Sequence, residues 1–378
     1  MKHNTIIYIG GFQLPDKNAA AHRVISNGKI FRDLDYQVVF IDTNDDANKE
    51  ICNTKTSYYN FETFSMQDSY RKIISISDFL KVYKRYENSV FAVIAYNYPA
   101  IPLYKLKSFC KRKHIYLFAD CTEWYGFIGD NFLHKLIKGI DSFLRMNILQ
   151  PRIDGIIVIS KYLENYYKPK LPCICIPPLT DTKEEKWNYQ NKKRTDTIKI
   201  LYAGSPGKHK DKINVIIEAI AKANCRNIHF LIVGICEKQF LEYYPEDKVM
   251  LEEIKGYVSF KGRVPHNQVL QLLKESDYSL FFREINRVTM AGFPTKFSES
   301  ITCGVPVITN ETSDLSEYLK DGKNGFILST KDFSNDLSRL LFDISKNRVE
   351  IPKVDNQAFD FTQYINLMKK WFSQFYLL

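Results

Sequence analysis

The sequence predicts an α/β protein of two doubly wound domains, each a parallel sheet buried between layers of helix. Three observations carry that expectation. Short apolar runs rich in β-branched residues recur along the chain, each followed by a segment of helical spacing. This is the pattern of parallel strands covered on both faces by crossover helices. A polar stretch from Asp181 to Thr197, rich in Lys, Asp and Thr, interrupts the pattern, which then starts again. The length of 378 residues suits two domains at roughly 100–200 residues each.

In the first half the strands are expected at Thr5–Ile9, Gln37–Ile41, Val90–Ala95, Ile115–Ala119 and Gly155–Ile159, with a helix beginning near Ala19. Cys173 and Cys175, two apart in an apolar run, share one face of a further strand. Pro177 and Pro178 close this half. The second half offers strands at Ile198–Ala203, Ile228–Val233, Val258–Phe260, Tyr278–Phe282 and Val305–Thr309. From Phe359 to Leu378 the residues Phe361, Ile365, Leu367, Met368, Trp371, Phe372 and Phe375 recur at helical spacing, so a terminal helix must pack on something. The domain boundaries that follow are 1–180, a linker 181–197, 198–355, and a terminal helix 356–378. Two such domains facing each other make a cleft, and ligands of open parallel sheets bind beyond the carboxyl ends of the strands.

Composition narrows the function. With 45% hydrophobic and 14% aromatic residues the chain is neither disordered, collagenous nor a coiled coil. No run approaches the roughly 18–20 apolar residues of a membrane span. The apolar stretch Thr5 to Phe12 meets Pro15, Asp16 and Lys17 too soon for a secretory segment, so a cytosolic protein is expected. Eight cysteines without paired CxxC motifs are read as reduced thiols. The net charge of +10 favours anionic partners such as nucleotide or lipid phosphates. The lysines sit in no recognised nucleic-acid module, so nucleic acid is not expected.

Three strand ends carry unusual residues. Gly10-Gly11-Phe12 follows the first strand, where glycines admit a ligand close to backbone N–H groups at a helix start, or simply form a tight turn. Gly204-Ser205-Pro206-Gly207-Lys208-His209-Lys210 lies between a strand and a helix, with small residues and then lysines shaped for phosphate, or for a solvated basic turn. It lacks Walker spacing. Pro294-Thr295-Lys296-Phe297-Ser298-Glu299 opens a short helix that ends at Gly304 and puts Lys296 and Glu299 on one face, where a surface ion pair is the plain alternative. No DxD pair or His cluster suits a metal, and no cofactor is expected.

Taken together, these motifs resemble the retaining glycosyltransferases of family 4 (group 1). The resemblance rests on Asp154-Gly-Ile-Ile-Val-Ile-Ser160, Ile174-Cys-Ile-Pro-Pro178, the lysine loop, Phe260-Lys-Gly-Arg-Val264 before a helix ending in Ser276-Asp277, and the block Glu299 to Ile308. It implies the GT-B fold of two Rossmann-like domains facing across a cleft. It also implies an acceptor-side N-terminal domain, a C-terminal domain for the nucleotide sugar, and a terminal helix crossing back to the first domain. Glu299 matches the second glutamate of the family's E-x7-E motif, which accepts from the donor ribose hydroxyls, a double acceptance that a carboxylate can make. Lys210 best matches the lysine that neutralises the diphosphate, with Lys208 as the alternative. Thr295 and Lys296 fall at the sugar and β-phosphate. Phe293 and the small residues Gly204, Ser205 and Gly11 complete the expected donor contacts.

Departures from the family pattern are equally specific. Ala291 stands where the family has its first motif glutamate and Ser205 where it has arginine, so Arg283, Arg287 or Lys296 is expected to supply the missing charge. Near Asp120 the family places a histidine, which this chain lacks; Asp120, Glu123 and Trp124 are the candidates for acceptor contacts, or a capped strand end with a packing Trp. From Lys105 to Arg145 basic residues outnumber acidic ones eight to four, and Asn131–Ile148 is a basic amphipathic segment. Such a segment is suited to an anionic membrane surface or to a core position. The expected activity is transfer of a sugar, with retention, to a glycan hydroxyl. The expected acceptor is a polyprenyl-diphosphate-linked glycan of surface-polysaccharide assembly, met at the inner face of the cytoplasmic membrane. A non-catalytic transferase-like subunit and a nucleotide-sugar epimerase are the alternatives.

Overall fold

A computed structural model describes residues 4–43, 56–66, 74–124, 132–188, 196–207 and 210–375. The chain divides into two compact units. One comprises Met1–Thr180, Ala291–Phe293 and Phe361–Leu378, the other Asp181–Met290 and Pro294–Asp360.

The first unit is an eight-stranded sheet of order β3-β4-β2-β1-β5-β6-β7-β8. Its strands are β1 (Thr5–Gly10), β2 (Gln37–Asp42), β3 (Thr56–Tyr58), β4 (Phe61–Ser65), β5 (Val90–Tyr96), β6 (Tyr116–Cys121), β7 (Gly155–Val158) and β8 (Cys173–Cys175). All pairs are parallel except β3 with β4. Every residue of β1 and β5 is buried, as continuous apolar runs require of central parallel strands. Helix α1 (Ala19–Asp33) begins where expected because the Asn18 side chain accepts from the Ala21 amide at 2.9 Å and caps it. The β3–β4 hairpin was not foreseen. Its two-residue turn is Tyr59-Asn60, both at positive φ, so the conformation is the usual hairpin one without the Asn-Gly signature.

Helices α2 (Ala100–Lys113) and α3 (Phe132–Phe143) lie side by side, the Ala100 amide donating to Asp141 Oδ1 at 2.7 Å. A π-helical turn continues α3 over Leu144–Leu149. The amphipathic segment expected here is not a core helix: Leu136, Ile137, Ile140 and Phe143 are exposed, and so are Lys135 and Lys138. Arg145 does not join them. It is 3% exposed and donates from Nη1 to the Asn97 carbonyl at 3.0 Å.

The terminal apolar segment forms a 3-10 turn at Phe361–Tyr364 and an α-helix over Ile365–Ser373 that packs into the first unit. Phe372 meets Phe31 at a centroid distance of 5.1 Å and Phe118 at 5.4 Å; Trp371 and Phe375 reach Phe118 at 5.2 and 4.8 Å. Gly155 leaves the necessary room, since a Cβ there would lie 2.8 Å from Trp371.

In the second unit six parallel strands run in the order β11-β10-β9-β12-β13-β14. They are β9 (Ile198–Ala203), β10 (Ile228–Val233), β11 (Val258–Gly262), β12 (Tyr278–Leu280), β13 (Val307–Asn310) and β14 (Gly325–Leu328). The last was not expected from the sequence; a Cβ on Gly325 would sit 2.2 Å from the Val307 carbonyl oxygen, so glycine admits the pairing. The helices that matter below are α4 (Ile213–Ala223), α5 (His266–Lys274) and α6 (Thr295–Thr302). Pro294 precedes α6 as its cap rather than occupying its first turn.

Replacing Trp371 by Ala removes a 4%-exposed ring from the first unit's core and is expected to cost about 3–5 kcal/mol. Urea unfolding of the full chain measures this, and a loss under about 1 kcal/mol would mean that the helix is not part of that core.

Candidate functional site

Strand order locates the site before any side chain does. In the second unit the chain moves outward from β9 through β10 to β11, then returns to lay β12 against the other side of β9. The loops after β9 and β12 therefore diverge at a topological switch point, the place where open α/β sheets bind ligands. Here the two loops are tied together: the Lys212 amide donates to the Phe282 carbonyl at 2.8 Å, and Asp211 pairs with Arg283 in an isolated backbone bridge. Asn310, at the end of β13, fixes Arg283 from behind by accepting from its amide at 2.9 Å and donating to its carbonyl at 2.8 Å.

Glycines shape the floor. A Cβ on Gly234, whose φ is +108°, would fall 2.0 Å from the Gly204 carbonyl oxygen, so the ends of β9 and β10 approach as only glycine allows. On Gly204 a Cβ would lie 2.8 Å from Lys296 Nζ. Lys296 thus lies directly over the glycine that the sequence singled out.

Asp211 is the hub. Its carboxylate is 2% exposed and receives Lys296 Nζ at 2.5 Å, Arg283 Nε at 3.2 Å and the Tyr202 hydroxyl at 2.7 Å. Burial alone would raise its pKa; the two cations and the hydrogen bonds outweigh burial and hold it below the ordinary carboxylate value. Burial pushes Lys296 down to about 8, against the pull of Asp211, with Arg283 and Lys210 adding to the fall. The Lys296 ammonium also stands 4.0 Å above the Tyr202 ring, a favourable cation–π position. Arg283 Nη1 is buried and has no acceptor among the described residues.

Glu299, one turn along α6, does not pair with Lys296. It meets His266 Nε2, at the start of α5, at 3.1 Å, and both side chains are about one-fifth exposed. An ionised carboxylate is an acceptor of the kind that hydroxyl groups meet.

The structure gathers Lys296, Arg283, Gly204 and Asp211 into one cluster. Lys210 and Ser205 are exposed on the loop beside it, and Thr295 is half-buried at the first position of α6. Lys208 lies outside the described residues. Phe293 is buried and groups with the first unit, as do Ala291, whose carbonyl accepts from Ser160 Oγ at 2.7 Å, and Gly11. Gly11 is exposed with open space around its Cα. The glycine that the first unit needs is Gly10, where a Cβ would lie 2.5 Å from the Tyr96 carbonyl oxygen at the β1–β5 switch point.

One acceptor candidate is corrected. Asp120 is fully buried and its oxygens are occupied by Arg23, with Nε at 2.9 Å and Nη2 at 2.8 Å, by the Tyr8 hydroxyl, and by Asn27 Nδ2 at 3.3 Å. It anchors α1 to the sheet and presents nothing to a ligand. Trp124 packs edge-on against Tyr166 at 4.7 Å and Tyr162 at 6.1 Å, half-buried. Glu123 beside it is likewise half-buried.

The sequence reading missed Asp211, Tyr202, Gly234 and His266. Asp211 alone had a signal: a carboxylate directly after the lysine loop, at the edge of an apolar helix.

Residues 183–358 match the family described as glycosyl transferases group 1. This stretch, which apart from Ala291–Phe293 lies within the second unit, is similar to the group 1 glycosyl transferases. No curated protein matches the chain. Among solved structures, sucrose-phosphate synthase from Thermosynechococcus elongatus is similar at 15% identity, with 99% of each chain covered and a TM-score of 0.71. The Anabaena protein HepE, in complex with UDP and glucose, is similar at 15% identity over 98% of this chain and 100% of that one, with a TM-score of 0.67. A glycosyltransferase from Rickettsia africae is 13% identical over 99% of each chain, with a TM-score of 0.69. The fold is GT-B, with two Rossmann-like units. Within the second unit, the cation cluster and Glu299 occupy the stretch that the family match spans.

Two glycine substitutions separate the roles of this floor. Gly207→Ala has open space and a φ of +57°, so it is expected to cost about 1–2 kcal/mol. Gly234→Ala drives a Cβ into backbone and should cost at least twice as much by denaturant titration; equal losses would mean that the β9 and β10 ends do not approach this closely.

Proposed function

We propose that the chain transfers a sugar from a nucleotide-diphosphate donor, with retention, to a hydroxyl of a glycan, a lipid-linked precursor of a surface polysaccharide. One observation carries this reading: at the switch point of the second unit, a buried arginine, a half-buried lysine and a half-buried carboxylate stand within one short helix and its facing loop. Lys296 and Arg283, with Lys210 beside them, meet the diphosphate; Glu299 accepts from the ribose hydroxyls. As the bond to the sugar loosens, negative charge collects on the leaving diphosphate, and fixed cations stabilise it without reorganising. No metal is assigned a part. The Anabaena structures with UDP and with UDP-glucose support a nucleotide-sugar donor for this fold.

Release of nucleoside diphosphate from a panel of nucleotide sugars tests the reading. Binding without release would favour a non-catalytic subunit, for which Ala291 in the glutamate position is the motive. Glu299→Ala is expected to weaken nucleotide binding by about 1.5–3 kcal/mol, the worth of hydrogen bonds to a charged group. Lys210→Ala should lower kcat while leaving nucleoside affinity unchanged. Titration calorimetry and initial rates read both; unchanged nucleotide affinity in Glu299→Ala would remove the ribose contact.

A lipid-linked acceptor places the enzyme at the cytoplasmic face of the membrane. No described helix is long and apolar enough to cross a bilayer, so the contact is peripheral. Ile137 and Phe143 of α3 are 59% and 58% exposed and are accompanied on that helix by the exposed Lys135 and Lys138; α2, which Asp141 ties to α3, exposes Ile101 and Tyr104. Apolar side chains bordered by cations fit an anionic bilayer. Substituting Ile137 and Phe143 by Asp, together with Lys135 and Lys138 by Gln, should abolish sedimentation with phosphatidylglycerol vesicles that carry down the wild type. Equal sedimentation of both proteins would take this face out of the contact.

A further inference from the structure

In the proposed reaction Asp211 touches no substrate, yet three elements converge on it: β9 through Tyr202, the end of β12 through Arg283, and α6 through Lys296. Its partners explain why a carboxylate is needed there. Lys296 is 17% exposed and shares its surroundings with two other cations, Arg283 and Lys210. Burial among like charges favours the neutral amine, and a neutral amine offers nothing to an anion. Asp211 is the only carboxylate recorded against Lys296 among the described residues. The remaining groups that face it are the Tyr202 phenol, whose pKa burial and Asp211 raise well above the ordinary value, and the ring of Phe281. On its own helix, Glu299 is engaged with His266.

We propose that Asp211 is a positioning residue: its carboxylate keeps the Lys296 ammonium charged and aimed over Gly204, where the donor's diphosphate is to be met. The inference rests on the nucleotide-sugar reading. It goes beyond that reading by assigning an acidic residue to an anion site, where a carboxylate would otherwise count against binding. Lys296, pushed down to about 8, loses its proton as pH rises through that value. Diphosphate affinity should therefore hold below pH 8 and fall above it, by up to about tenfold per pH unit for one linked proton. Without Asp211 the fall begins at lower pH. Arg283 stays charged throughout, and the diphosphate's own last ionisation, near pH 6, affects wild type and variant alike and so cancels in their ratio.

The test titrates UDP, GDP and ADP, and the corresponding free nucleosides, into the full chain from pH 6 to pH 9. In the wild type the tightest diphosphate should weaken above about pH 8 while its nucleoside does not. In Asp211→Asn the weakening should start at least one pH unit lower. Affinity at pH 6 should then lie within about twofold of the wild type, and at pH 8 about fivefold or more below it. Lys296→Arg, which cannot lose its charge, should bind the diphosphate equally at pH 7 and pH 9, and it gives the answer even if Asp211→Asn fails to fold. A uniform loss in Asp211→Asn at every pH, or an unshifted midpoint, overturns the inference and leaves the function standing; so does a Lys296→Arg variant that still weakens above pH 8. A wild type that binds none of the three diphosphates overturns the nucleotide reading itself, and the inference with it.

Discussion

A buried carboxylate cannot stand alone in a protein interior, and the second unit is organised around the one at Asp211. Taking an ionised carboxyl out of water costs several kcal/mol unless cations and donors surround it. Asp211 finds Tyr202 nine residues back, Arg283 seventy-two residues on and Lys296 eighty-five residues on. Meeting that requirement brings the ends of β9 and β12 and the start of α6 to one point. The same requirement brings two cations to the carboxyl edge of the sheet, where a ligand can use them. Removing one partner of such a group costs more than the pair contributes, so the cluster assembles as a whole.

The first unit solves a similar problem at Asp120. Arg23 donates to that carboxylate and reaches on to the carbonyls of Ile176 and Pro177 at 2.8 and 3.4 Å, while Tyr8 and Asn27 fill the remaining positions. Here the anion is sealed: no side chain of the group is more than 3% exposed. The contrast with Lys296, which keeps a partly open side chain, separates an internal brace from a site. Acid at a strand end is therefore ambiguous chemistry, resolved only by what covers it.

Much of the architecture was legible because it depends on local pattern. Continuous apolar runs marked β1, β2, β5 and β9 to within a residue or two, Asn18 and Ala19 marked the start of α1, and the aromatic spacing after Phe359 marked the last helix. Motif spacing singled out Lys296, Glu299 and Gly204, and Arg283 was one of three candidates for a missing charge; that Lys296, Arg283 and Gly204 meet around Asp211 is a fact of the fold. What stayed hidden depends on partners distant in sequence. Nothing near Asp120 announces Arg23, and nothing near Glu299 announces His266. The β3–β4 turn hides because Tyr59-Asn60 adopts a conformation usually signalled by Asn-Gly. For α3 the period gives amphipathicity but not what covers each face: Ile137 and Phe143 are exposed along with Lys135 and Lys138, while Arg145, in the turn that follows, is buried.

The docking of the last helix sets an order on synthesis. The first unit's core takes Met368, Trp371, Phe372 and Phe375 from the end of the chain, whereas every residue of the second unit precedes Phe361. A ribosome delivers the chain from its amino end at roughly 5–20 residues per second. The second unit has all of its strands in hand while Phe118 and Gly155 still await the rings that cover them. The unit whose strands are translated first is thus completed last, and the nascent first unit keeps an aromatic groove open until Trp371, Phe372 and Phe375 emerge.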